Sequence, residues 1–186
     1  LVNTTAVGYY SAADKIIRAL QQILMAFSQT VYPHVSKIAV ESKQNALRFI
    51  HKITILAGSI TLVISVILFF GAEPICMLVL GSEFRESILL LRMMAILPFV
   101  FAMGNIFSVQ GLFAFGMQAI VVRITVRMAV VHIISACVMT YFFQYKGMTV
   151  AMLLSEIIIS TLSFYYFRKN VMLHDTETVR EEEKNG

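Results

Sequence analysis

The residues best suited to chemistry lie close together near the start of the chain. Asp14, Lys15 and Arg18 fall within about one helical turn, and Gln21, Gln22 and Gln29 follow at helical spacing. The planar fork of an arginine donates two hydrogen bonds at once and suits phosphate or carboxylate. Glutamine amides offer neutral donors and acceptors, which suit sugar hydroxyls. This is equipment for holding a polar, anionic molecule. It is not equipment for breaking bonds, because no Ser-His-Asp set, nucleotide-binding signature or phosphate-cradling glycine loop accompanies it. A second reading stays open. Asp14 and Arg18 stand four residues apart, so they can neutralise each other near a membrane surface while Lys15 snorkels to water.

Three further sets are candidates. Glu156 sits in the apolar run VAMLLSEIIISTL with no cation beside it in sequence. Folding the chain back near 144–147 brings it within about a turn of His132. The Glu156–His132 pair either holds two helices together or marks a coupling site that exchanges a proton or Na⁺. Arg123 and Arg127 share a helix face one turn apart, either as topogenic charges meeting lipid phosphate or as a cytoplasmic mouth for an anionic substrate. Asn105 and Gln110 lie in an apolar stretch with Pro98, which frees a carbonyl and allows a bend. Cys76 and Cys137 form no metal-ligand pattern, so neither a metal nor another cofactor is expected.

The elements that position these residues must be membrane helices. The chain of 186 residues is 58% hydrophobic and only 14% charged, with a mean hydropathy of +0.78. An ordinary soluble domain is about 45–50% apolar and about 25% charged. The net charge of +4 is scattered between apolar runs and forms no basic face, which argues against nucleic-acid binding. Five apolar runs, at about 5–32, 53–71, 88–115, 119–143 and 148–167, each have the ~20 residues a helix needs to cross the hydrocarbon. The expected organisation is a helical region over 1–170 and a polar cytoplasmic tail over 171–186. Lysines and arginines cluster between the first two runs, around Arg123 and Arg127, and after the last run. By the positive-inside rule these parts are cytoplasmic, which puts the start of the chain in the periplasm. The absence of an initiator Met and of a signal peptide suggests a piece of a longer protein.

On a helix at ~100° per residue, Asp14, Arg18, Gln21, Met25, Ser28, Gln29 and Tyr32 fill one sector about 100° wide. Ile16, Leu20, Ile23, Phe27 and Val31 lie opposite. Lipid opposes a buried unpaired polar group by several kcal/mol, so the polar sector should face protein or water. That points to a polar path inside a membrane protein.

The run from Val7 to Lys37 resembles a segment of the O-antigen and polysaccharide flippases of the multidrug/oligosaccharidyl-lipid/polysaccharide exporter superfamily. The likeness is carried by Val7, Gly8, Tyr9, Tyr10, Ala12 and Ala13, and by Tyr32, Pro33 and Ser36 at the far end. Leu80, Gly81 and Phe84 resemble the family's next loop. Leu97, Pro98, Asn105 and Gln110 resemble its following helix, and Gly147 and Glu156 its closing hairpin. The likeness covers roughly Val7 to Asn170.

The resemblance implies an all-α integral membrane protein of two lobes around a cavity, working by alternating access, in the bacterial inner membrane. About five transmembrane helices here would form most of the second lobe. The implied function is translocation of an undecaprenyl-pyrophosphate-linked oligosaccharide. The implied partners are that substrate, membrane lipid and a missing N-terminal lobe. The implied substrate-cavity residues are Asp14, Lys15, Arg18, Gln21, Gln22, Gln29, Asn105 and Gln110. A cation or multidrug exporter of the same superfamily is the nearest alternative, but helix one carries two cations against one acid. A polysaccharide polymerase or ligase would need large periplasmic loops. A structural anchor would not need a full-length polar stripe.

Overall fold

The computed structural model describes residues 4–172, with side chains from residue 7 onward except Ser82. The helices are α1 (Thr4–Glu41), α2 (Lys43–Phe70), α3 (Ala72–Val79), α4 (Arg85–Met94), α5 (Leu97–Asn105) and α6 (Gln118–Phe167). A 3-10 turn, Ser82–Phe84, leads into α4, and π-helical stretches Ile106–Phe113 and Arg168–Met172 prolong α5 and α6. The described residues contain no strand, so the architecture is the all-α membrane fold expected. Of the expected tail, only Val171 and Met172 are described, and they belong to the last π-helical turn. The rest of the tail lies outside the described residues.

Several helices run further than their apolar cores. α1 passes through Pro33 to Glu41, although proline removes one backbone donor and disfavours a helix interior. Its last turns are held by Val35, which is fully buried against Ile50 and Ile53. α2 starts at Lys43, capped by Ser42, whose Oγ accepts from the Asn45 amide at 3.4 Å. Its polar first turns still present Ala46, Ile50 and Ile53 inward, at a spacing that keeps one face buried. The stretch expected as one helix over 88–115 is divided. The chain turns at Ala95 and Ile96, and Pro98 then falls in the first turn of α5, where a missing N–H costs nothing.

α6 is a hairpin. Gln144 leaves helical geometry at φ 54°, ψ −138°, and the two arms, 118–143 and 145–167, run back along each other. His132 on one arm meets Ser155 on the other at 2.9 Å. Gly147 makes the turn possible: a Cβ there would collide with the Met139 carbonyl oxygen. Gly111 plays a similar part between α6 and the π-helical stretch, since its Cβ would lie 2.6 Å from a ring carbon of Phe167. Small residues let membrane helices approach closely, which compensates for the weak apolar driving force within lipid.

Two apolar clusters hold the ends of the bundle. Tyr10, Ile17, Leu68, Cys76, Leu90 and Met94 pack at the end of the hairpin turn. Val35, Ile50, Ile106, Leu112, Phe167 and Val171 pack at the other. Three stretches are long and apolar enough to cross a membrane: Lys43–Phe70, Arg85–Phe113 and Gln118–Met172, the last being the folded hairpin. Only 28% of the apolar window of α2 and 11% of that of α6 are buried in the protein, so these surfaces are built to meet lipid. α1 is long enough but does not qualify, because its polar residues lower its hydropathy. The five runs are thus four apolar arms and one helix of mixed character.

The hairpin turn gives a direct check. Replacing Gly147 by Ala should cost about 1–3 kcal/mol through forced overpacking. The readout is the midpoint of SDS-induced unfolding from mild detergent, and an unchanged midpoint would show that the arms do not meet as described.

Candidate functional site

The polar sector of α1 straddles the edge of the bundle, and the structure divides it lengthwise. Asp14, Gln21 and Ser28 turn inward, beside buried Ile17 and half-buried Leu24. Lys15, Arg18, Gln22 and Gln29 stay uncovered along the adjoining strip. The spacing of three, four and seven residues keeps these four on one line, over ~21 Å of helix at 1.5 Å per residue.

The inward half is already engaged with protein. Asp14 is buried and accepts from Arg18 Nε, closing the ion pair that the four-residue spacing allowed. The Arg18 side chain itself remains 61% exposed, so much of its surface is free for a further partner. The second oxygen of Asp14 and the Nε2 of Gln21 are buried without a hydrogen-bond partner. Gln110 corrects one expectation. It is buried and turned toward α1, not exposed along an open path, and its Nε2 donates to the Ser28 carbonyl at 2.8 Å and to Ser28 Oγ at 2.9 Å. Asn105 lies beside it, in a cleft of about 20 Å³ that has room for about one water. Gln110 and Ser28 thus tie α1 to the π-helical stretch, and the wide π turn sits where glutamine must reach across.

The Glu156–His132 pair is also not formed. The expected fold-back set Glu156 level with Ser135 and within a turn of His132; instead, His132 Nδ1 meets Ser155 Oγ at 2.9 Å. Ser155 in turn donates to the Ala151 carbonyl at 2.8 Å. Glu156 is half-buried and has no hydrogen bond or ion pair to a described residue. Arg123 and Arg127 do share a face, as their spacing requires, and they line a cleft of about 270 Å³ between the hairpin arms. Lys169, brought in by the far arm, is a third cation there that sequence reasoning missed. It stands in the charge run after the last apolar stretch and reads as topogenic until the hairpin closes. No set of three His, Cys, Asp or Glu side chains among the described residues is arranged to hold a metal ion.

The Gln110–Ser28 bridge makes a measurable claim. A double-mutant cycle of Gln110→Leu and Ser28→Ala should show a coupling of about 0.6 kcal/mol, and at most about 1.7, in unfolding free energy. Strict additivity would remove the bridge from the list of contacts that hold α1.

Residues 1–89 match the model of a family described as "Polysaccharide biosynthesis protein". Over 169 residues the chain is 24% identical to a protein of Escherichia coli K12 named "Putative O-antigen transporter", covering 91% of this chain and 41% of that protein. Over 159 residues it is 30% identical to a protein of the same name from Shigella dysenteriae, covering 82% of this chain and 38% of that protein. The chain therefore spans about two fifths of the length of these curated relatives. No solved structure matches it. The family match and the two relatives agree with the membrane helices, and they support kinship with O-antigen transporters over part of the length of such a protein.

Proposed function

We propose that this chain forms part of a flippase that moves an undecaprenyl-pyrophosphate-linked oligosaccharide across the bacterial inner membrane. The uncovered polar row on α1 is the observation that carries this reading. Lys15, Arg18, Gln22 and Gln29 leave the bundle's own packing unsatisfied along one side of a long helix. In hydrocarbon such a row would be costly at every position, whereas against a second lobe enclosing water it becomes one wall of a path. The relatives supply the rest of the length in which such a lobe would lie.

The row is graded along the helix. Lys15 and Arg18 stand at the end with the hairpin turn, and the glutamines lie deeper. Cations would hold the pyrophosphate, and the amides would exchange hydrogen bonds with sugar hydroxyls as the chain of sugars passes. This is transport chemistry and requires no bond to be made or broken. The charge distribution supports an orientation. Lys37, Lys43, Arg48, Lys52, Arg123, Arg127, Arg168 and Lys169 gather near one end of the bundle, with Glu41 as the acid there among the described residues. Asp14, Glu73, Glu83 and Glu86 lie near the other, together with five cations, Lys15, Arg18, Arg85, Arg92 and Lys146. The cation-rich end is then cytoplasmic, and α1 begins at the periplasmic side.

A cation exporter of the same superfamily is disfavoured by one detail. The acid beside the row, Asp14, is buried and already paired with Arg18, so the exposed row is net cationic.

In a strain whose O-antigen display depends on the protein carrying this chain, Arg18→Gln should reduce surface O-antigen at least tenfold while membrane abundance stays normal. Wild-type display in that variant, measured by lipopolysaccharide gel and immunoblot, would remove Arg18 from the path. Glu156 is proposed as a coupling residue, on the strength of its lack of a described partner. Glu156→Gln should leave substrate-dependent transport in vesicles but abolish its response to an imposed proton or Na⁺ gradient. An unchanged response would make the residue structural.

A further inference from the structure

The cleft between the hairpin arms has a composition that transport does not use. Its lining comes entirely from α6 and the π-helical stretch after it, and none comes from α1. Arg123, Arg127 and Lys169 converge there with Tyr166 and Asn170. Among the described residues, no acidic side chain lines it. Arg123 Nε donates back to the Ala119 carbonyl at 3.1 Å, and Asn170 Nδ2 donates to the Tyr166 carbonyl at 2.9 Å. These contacts organise the rim but bring no counter-charge to the three cations. Like charges drawn together without an acid repel one another unless an anion joins them.

The surroundings identify the kind of anion. Arm 118–143 is ~39 Å long at 1.5 Å per residue, longer than the ~30 Å hydrocarbon layer, so its first turns reach headgroup level. Arg127, one turn deeper than Arg123, is within snorkelling distance of that level. Beside the cleft, Val122, Val126 and Val130 form an exposed apolar row on the same arm, 54%, 60% and 54% accessible. The floor of the cleft carries Ile124 and Leu162. A basic cleft at the interface with an exposed apolar row beside it matches an amphiphile: a phosphate head above and acyl chains below. A soluble anion would use the cations but not the row.

We infer that the cleft formed by Arg123, Arg127 and Lys169 is a binding site for the phosphodiester headgroup of an anionic phospholipid, with an acyl chain laid along the valine row. Basic pockets between membrane helices recognise anionic headgroups in this way, and each cation near the surface contributes about a fivefold preference. The site would clamp the two arms together without involving α1. It depends on the membrane character of the fold and not on what the protein transports.

The test is native mass spectrometry of the purified chain in mild detergent, with phosphatidylglycerol, cardiolipin or phosphatidylcholine added. Phosphatidylglycerol or cardiolipin should be retained over phosphatidylcholine by at least tenfold. Arg127→Gln and Lys169→Gln should each lower that retention about fivefold, and Arg127→Lys should largely preserve it. Arg48→Gln, which removes a cation at the same end but outside the cleft, should leave retention unchanged. Circular dichroism of each variant checks that the helices are intact. Equal retention of phosphatidylcholine, or an equal loss in Arg48→Gln, would overturn the site in favour of diffuse surface charge. Displacement of the lipid by millimolar inorganic pyrophosphate would overturn the lipid assignment and return the cleft to a soluble or substrate-borne phosphate.

Discussion

Hydrocarbon offers no hydrogen bonds, and this structure is arranged around that single lack. Every backbone N–H and C=O in a spanning stretch has to be satisfied within its own segment, which leaves the helix as the available form. The described residues obey this from Thr4 to Met172 with only short interruptions. Where the ladder is interrupted, at Ser42, at Ala95 and Ile96, at Gln144 and in the π-helical stretches, local contacts take over. The Ser42 hydroxyl caps α2, and the amides of Ala114 and Met117 reach back five residues to Val109 and Leu112.

The same lack sorts the side chains. Valines, isoleucines and leucines cover the outer faces of α2 and α6, where they meet lipid without penalty. Several polar side chains are drawn inward and paired. Ser28 and Gln110 join α1 to the π-helical stretch, His132 and Ser155 join the hairpin arms, and Ser87 Oγ donates to the Tyr9 carbonyl at 2.9 Å to join α4 to α1. Apolar burial drives helices together only weakly within lipid, so these bridges and the close approaches at Gly111 and Gly147 specify how the helices sit. Thr54, Thr61, Ser108 and Thr161 satisfy their hydroxyls on carbonyls of their own helices, which keeps them tolerable at membrane depth.

Against that background the row from Lys15 to Gln29 is the exception, since it is polar, long and uncovered. The hairpin cleft, lined by α6 and the turn after it, is a second, smaller exception. The two differ in what lies beside them. The row runs along the length of α1, as a path would. The cleft is confined to one end and borders an apolar surface, as an interfacial site would.

The all-helical class, the number of apolar runs and the hairpin near Gly147 were legible in the sequence alone, because hydropathy and length report directly on what can sit in lipid. The polar side of α1 was equally legible, since helical periodicity is a local property of the chain. The division of that side was not. Whether Asp14, Gln21 and Ser28 or Lys15, Gln22 and Gln29 turn inward depends on which neighbours α1 packs against, and Gln110 stands 82 residues from Ser28. The partner of His132 turned on how the two arms meet across the hairpin. Lys169 joined Arg123 and Arg127 only when the arms closed. Local pattern determined which residues are polar and helical. Long-range packing decided which of them touch, because the contact energies that choose between neighbouring registers are carried by side chains far apart in the chain.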